Sequence, residues 1–166
     1  MAALPALLRA DSSGHRAVNS DALVDYFERL SPATLDQLDR FYAQAAWFKD
    51  PFHEVEGIEA IGAILRHTFD RLPGARFRVT RQFSASDGDL MLLWELDFVM
   101  PITSAPTTIV GATHFAFDAA GKVIRHRDYW DAAEELYGRL PLLKWLMRGL
   151  ARRAAAPVPS ARSTAE

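Results

Sequence analysis

The ionisable residues best placed for chemistry close the segment Phe115 to Asp131, which reads as a strand, a turn at Gly121 and a second strand. Counting by twos along the second strand puts Ile124, His126, Asp128 and Trp130 on one face. Val123, Arg125, Arg127, Tyr129 and Asp131 fall on the other. If the first face looks inward, Asp128 is a buried carboxylate, and a buried acid must be paired or neutralised. Either condition serves acid and base chemistry. The competing reading is a satisfied structural acid that holds a neighbouring strand or helix end, and this strand taken alone supports it.

Elements of two periods must position that strand. Asp21–Leu30 is predicted as a first helix with Ser20 as N-cap, carrying Ala22, Leu23, Tyr26, Phe27 and Leu30 on one apolar stripe. Ser31-Pro32 and the capping box Thr34-x-x-Gln37 start a second helix, and Leu38, Phe41, Tyr42 and Ala45 continue its stripe. Tyr26 and Tyr42 are therefore both read as helical. A short strand, Ala46–Phe52, turns at Asp50-Pro51. A third helix begins after Gly57, carries Ile58, Ile61, Leu65, Phe69 and Leu72, and stops at Pro73-Gly74.

From Ala75 onward the period is two. Arg76–Phe83, Leu90–Val99, Thr107–Phe117 and Lys122–Trp130 are separated by turn-rich segments and no helices, which predicts an antiparallel meander. The fold class is α+β, with helices laid over one face of a curved sheet. Ala132 to about Gly138 is a further helix. Leu140–Arg153 follows as an amphipathic helix that docks on the protein in preference to a membrane surface. The expected organisation is a loose N-terminus over 1–18, one domain over 19–137, a C-terminal amphipathic helix over 138–153 and a disordered tail over 154–166.

A chain of 166 residues with 49% hydrophobic content supports one core. With no cysteine, disulfides and thiolate chemistry are excluded, and only His, Asp and Glu could hold a metal. No His-x-x-x-His or similar spacing supplies a ready ligand set, so no metal and no cofactor is expected. Met1 to Leu8 is apolar without a basic segment before it, a poor secretory signal, and no apolar run approaches the roughly 18 residues of a membrane span. A cytoplasmic protein is the expectation. Residues after Gly138 carry +5 and the rest of the chain −7, a poor surface for nucleic acid.

The element order, the Phe-x-Asp-Pro strand before a Gly-started helix, and the terminus Arg127-Asp128-Tyr129-Trp130-Asp131 resemble the nuclear transport factor 2-like superfamily, and within it the SnoaL-like proteins. The resemblance covers about Asp21 to Tyr137. It implies a cone-shaped fold enclosing a pocket between sheet and helices. The superfamily hosts ketosteroid isomerase, polyketide cyclases, limonene epoxide hydrolase and members that only bind, so the fold does not name the reaction. By similarity to the last strand of limonene epoxide hydrolase, Asp128 takes the place of a catalytic acid. That enzyme's Arg-x-Asp pair is replaced here by Glu95-x-Asp97, and its Tyr-x-Asn pair by Phe48-x-Asp50. Loss of the arginine argues against direct transfer of epoxide hydrolysis.

The resemblance implies a pocket holding Asp50, Glu95, Asp97 and Asp128, with His53, His114 and His126 at its lining and Phe48 and Trp130 among the substrate contacts. On this reading Asp128 is the base, Asp97 or His114 the donor, and Asp50 a positioning or second acid, in proton transfer next to a carbonyl. No tyrosine matches the donor of ketosteroid isomerase. Simple alternation gives the opposite placement of Glu95 and Asp97, because Leu90, Leu92, Trp94, Leu96 and Phe98 would then form the core strip. The superfamily reading puts Leu92, Trp94, Leu96, Phe115 and Phe117 on the convex face, too apolar to stay wet, and so implies a homodimer there. The expected ligand is a small hydrophobic molecule. The competing function is a non-catalytic binding or interaction module of the same fold.

Overall fold

The computed structural model describes residues 20–137 and 143–154. The expected loose N-terminus, the tail beyond Ala154, and Gly138 with the expected helix start at Leu140 lie outside the described residues. The chain divides into two compact units, one ending at Trp130 and one beginning at Asp131.

The first unit runs α1 (Ser20–Glu28), a 3-10 turn (Leu35–Gln37), α2 (Leu38–Phe41), β1 (Tyr42–Lys49), β2 (Glu54–Glu56), α3 (Ile58–Arg71), β3 (Arg76–Ser84), β4 (Leu90–Val99), β5 (Pro106–Phe117) and β6 (Val123–Tyr129). Its six strands form one sheet in the order β2-β1-β6-β5-β4-β3. The expected meander of β3 to β6 is antiparallel throughout. β1 joins β6 in parallel, and the short β2 closes antiparallel against β1. Gly57 enters α3 at φ +101 and gives its N–H to the Ala46 carbonyl at 2.9 Å, a left-handed backbone that favours glycine and ties the helix start to β1.

The second helix differs from expectation. Thr34 makes no cap bond, because its hydroxyl oxygen accepts the Ser31 N–H at 2.9 Å in the turn that follows α1. The helix therefore shrinks to the 3-10 turn and the single turn of α2. Tyr42 is extended, with φ −105 and ψ 143, and pairs with Val123 as the first residue of β1.

The sheet's inner face is the strip that simple alternation marks. Leu90, Leu92, Trp94, Leu96 and Phe98 of β4 are all buried, as are Thr107, Ile109, Thr113 and Phe115 of β5. Phe27 on α1 lies 5.4 Å from the Phe115 ring, and Phe77 on β3 lies 5.7 Å from Trp94. This corrects the convex-strip expectation: Leu92, Trp94, Leu96 and Phe115 are core, and the Phe117 ring lies tilted beside Phe115 at 6.3 Å. The helices bring an apolar stripe that must be buried, and only the sheet's apolar face can bury it. Register shifts in β1, β3 and β6 curve the sheet around the helices.

In the second unit, α4 (Ala132–Glu135) is capped by Asp131, whose carboxylate accepts the N–H groups of Ala133 at 2.8 Å and Glu134 at 3.1 Å. α5 (Leu143–Ala154) carries Arg152 and Arg153 in its last turn. Among the described residues no helix is long and apolar enough to cross a membrane.

Candidate functional site

The site grows from a slip in β6. Ala116 of β5 faces Arg125 while Phe117 faces Val123, so Ile124 is left without a partner and its side chain turns outward. This bulge corrects the simple count by twos, which placed Ile124 with His126. Beyond it alternation resumes. Arg125 lies over the Trp47 ring at 4.5 Å and Arg127 over the Tyr129 ring at 4.7 Å on the outer face, while His126 and Asp128 turn inward.

A chain of hydrogen bonds runs through this pair. His126 Nε2 lies 2.9 Å from Asp128 Oδ1, and His126 Nδ1 lies 2.6 Å from the Tyr42 hydroxyl. Thr113 Oγ1 donates to the same Asp128 Oδ1, and Trp94 Nε1 donates to Thr113 Oγ1 at 2.7 Å. An ionised carboxylate only accepts, so His126 carries its proton on Nε2, and its neutral ring accepts the Tyr42 O–H at Nδ1. Every donor thus points toward Asp128 Oδ1. Among the described residues no hydrogen bond reaches Oδ2. Phe27, Phe48 and Phe115 pack their rings around the imidazole, which is 1% exposed.

Asp128 is 19% exposed at its side chain and lies in the wall of a cavity of about 20 Å³, the room of a single water. The walls are otherwise apolar, with Phe27, Phe77, Trp94 and Phe115 the largest residues and Thr113 and His126 the other polar ones. Anything larger than water requires those aromatic side chains to swing aside.

The remaining sequence candidates separate from this cluster. Glu95 pairs with Arg78, and Asp97 accepts the Thr108 hydroxyl at 2.6 Å, both on the outer face of the sheet. His114 is outward too and bonds Asp89 at 2.7 Å. All three follow from the corrected face assignment. Asp50 accepts the backbone N–H groups of Phe52 and His53 and contacts the His53 ring at 3.1 Å, so it holds the turn after β1. Phe48 is core against His126, and Trp130 packs on Phe52 at 5.4 Å. The partners of Asp128 are thus His126 and Thr113, not Asp50, Asp97 or His114. Among the described residues no group of three or more His, Asp or Glu converges as a metal cluster.

Sequence reasoning passed over Tyr42, Thr113 and Trp94. Thr113 carried a signal, being a polar residue opposite Leu92 and two residues before Phe115 on the inward face of β5. Tyr42 carried none, because the capping-box pattern assigned it to a helix.

Burial pushes the Tyr42 phenol well above its ordinary range, with the charge of Asp128 and then Tyr26 adding to the effect. Tyr26 is raised by burial and then by Asp36 and Asp39. Both therefore keep their protons in the native state at pH values where the unfolded chain, near its ordinary value of about 10, loses them. Because the unfolded state then binds fewer protons, stability is intact below about pH 10 and falls as pH rises further. Alkaline absorbance titration should leave at least two of the four tyrosines un-ionised until the protein unfolds. Tyr42→Phe should lessen the alkaline slope without abolishing it, and should cost about 1–3 kcal/mol at neutral pH by orphaning the buried His126 Nδ1. Ionisation of all four tyrosines with the circular dichroism unchanged would contradict this account.

A helix-covered curved sheet with a polar chain set into an apolar cavity defines a protein of the nuclear transport factor 2-like class. The sequence pattern of the SnoaL-like domain matches residues 23–126, more than half of the chain, and the protein belongs to that family. Solved structures agree on the fold. An epoxide hydrolase from M. tuberculosis, of the limonene epoxide hydrolase-like kind, is 16% identical, with 86% of this chain and 95% of that one covered at a TM-score of 0.57. A candidate SnoaL-like polyketide cyclase from Shewanella putrefaciens CN-32 is 18% identical over 70% of this chain and 94% of its own, with a TM-score of 0.58. A protein of ketosteroid isomerase-like fold from Catenulispora acidiphila DSM 44928, solved with trimethylamine, is 15% identical over 74% and 91%, with a TM-score of 0.59. At these identities the likeness is one of fold. No curated protein matches the sequence.

Proposed function

We propose that the protein binds a small hydrophobic molecule in this cavity and moves a proton on it without a cofactor, with Asp128 as the base. The observation that carries the reading is the asymmetry of Asp128: Oδ1 accepts from both Thr113 and His126, while Oδ2 is left for a ligand beside apolar walls. In the reaction, Oδ2 takes the proton from a carbon next to a carbonyl, the C–H electron pair forms the enolate, and the same carboxyl returns the proton to carbon. Once Asp128 is neutral it holds the Thr113 hydroxyl less strongly, and that hydroxyl can turn to the enolate oxygen. Asp97 and His114 take no part, since they face the other way.

The water-sized void beside Asp128 favours a second reading, in which the carboxylate activates a water for addition to the ligand. A hydrophobic ketone distinguishes the readings. With 2-tetralone in D2O, the proton-transfer reading expects protein-dependent exchange at the carbons next to the carbonyl, followed by NMR. Binding without exchange would instead leave a binding module or the water-activating enzyme.

A cytoplasmic homodimer belongs to the same proposal. The outer sheet face exposes Val110 beside the half-exposed Met91, Leu93 and Ala112, with the acids Glu95 and Asp97 on β4 and the bases Arg125 and Arg127 on β6. A two-fold axis over β5 would set each acidic half against the partner's basic half. Light scattering at micromolar concentration should give a dimer mass, reduced to the monomer by Val110→Lys. A wild-type monomer would end the proposal.

A further inference from the structure

We infer that Tyr42 and His126 are positioning residues for Asp128, acting as a buried relay that decides which carboxylate oxygen meets the ligand. The inference rests on the acid–base reading of Asp128. Tyr42 is 1% exposed and His126 is 1% exposed, and Tyr42 is absent from the cavity wall, so its phenol touches no ligand. What it can do is fix a proton. Its O–H occupies His126 Nδ1 at 2.6 Å and, with the carboxylate at Nε2 able only to accept, the imidazole is held in one neutral form, protonated at Nε2. That N–H then reaches Asp128 at 2.9 Å. Two donors on a single oxygen hold the carboxyl against rotation and leave Oδ2 without a hydrogen bond among the described residues.

The arrangement costs something to keep. A buried imidazole and a buried phenol require partners, and among the described residues each has found one, with no buried side-chain polar atom left unpaired. Leucine and phenylalanine would fill the same space without that demand, and replacing both polar partners by apolar groups is often neutral for stability. The rings around the imidazole come from α1 (Phe27), β1 (Phe48) and β5 (Phe115), and none of them can supply a proton. The carboxylate thus sets the tautomer, and Tyr42 holds the ring in place by binding its far nitrogen from a strand adjacent to that of the base. The same logic operates wherever a third group orients an imidazole by its far nitrogen.

The tautomer can be read directly. In wild-type protein labelled with 15N-histidine at pH 7, long-range 1H–15N spectra should show His126 as a single neutral ring protonated at Nε2, with its Nε2–H shielded from solvent exchange. Tyr42→Phe should leave the Nε2 tautomer to the carboxylate alone, free the ring to tilt, and lower 2-tetralone exchange about 10-fold, with circular dichroism unchanged. A wild-type His126 protonated at Nδ1, or one in fast exchange between forms, overturns the inference without reference to any activity and whether or not the variant folds. Wild-type exchange that Tyr42→Phe leaves at full rate overturns the inference alone and spares the acid–base reading. An absence of exchange in the wild type overturns the reading and the relay together.

Discussion

Asp128→Asn retains the fold and loses proton transfer, by about 10²- to 10⁴-fold in exchange rate if Asp128 is the base. The amide keeps the shape of the carboxyl, and its oxygen still accepts from Thr113 and from His126 Nε2, so the relay behind the site has a partner. An NH2 group now occupies the Oδ2 position. It offers the cavity two donors and no base, so a carbon acid bound there has nowhere to send its proton. Because a hydrogen bond to a neutral acceptor is weaker than one to a carboxylate, thermal stability should fall by only about 1 kcal/mol. A binding module predicts the opposite ranking, with little change beyond affinity. Exchange that survives Asp128→Asn at the wild-type rate would remove Asp128 from the chemistry.

The fold was legible because its two periods are clean. Ile61 and Leu65 fall on one stripe of α3, and Leu90 to Phe98 alternate without a break, so local pattern and final burial agree. The placement of His126 and Asp128 was legible for the same reason. The misplacement of Glu95 and Asp97 has one cause: weight given to the family resemblance over the burial that alternation implies. Setting Glu95 and Asp97 inside required the apolar face of β4 to face outward, yet α1 and α3 had nowhere else to bury their own stripes. The outward placement of Glu95 and Asp97 is the one that the Leu92–Trp94–Leu96 strip gives by alternation, and His114, opposite Met91 on the same face, goes with it.

Other features were beyond period counting. Ile124 is turned out by a one-residue slip against β5, and a bulge is decided by the pairing of two strands, not by the sequence of one. Tyr42 follows Leu38 and Phe41 at helical spacing, and only its pairing with Val123 draws it into the sheet. Once there, it faces inward four residues before Ala46 and meets His126 behind the cavity.

Among the described glycines, Gly111→Ala should be the most disruptive substitution by alanine. Gly111 stands directly opposite Trp94 in the β4–β5 pair, and a Cβ built there would overlap Cη2, Cζ2 and Cε2 of the indole. The glycine is needed for room, since its φ lies outside the left-handed range. Trp94 cannot simply step aside, because its ring packs edge-on against Phe77 at 5.7 Å and its N–H reaches Thr113 at 2.7 Å. A rigid indole meeting a strand backbone yields by moving whole, so the methyl is expected to cost about 1–3 kcal/mol, or about 3 °C in Tm for each kcal/mol. The same displacement would take the N–H from Thr113, and with it the orientation of the hydroxyl that holds Asp128 Oδ1, so 2-tetralone exchange should fall too. Gly62→Ala is the control. There the new methyl meets only the end of Leu38 at 3.4 Å and replaces a mid-helix glycine of α3, so stability should hold or rise by about 0.5–1 kcal/mol. Equal melting temperatures for the two variants would mean that Trp94 has freedom to repack, and that the close approach of its ring to β5 does not hold the Thr113 hydroxyl in place.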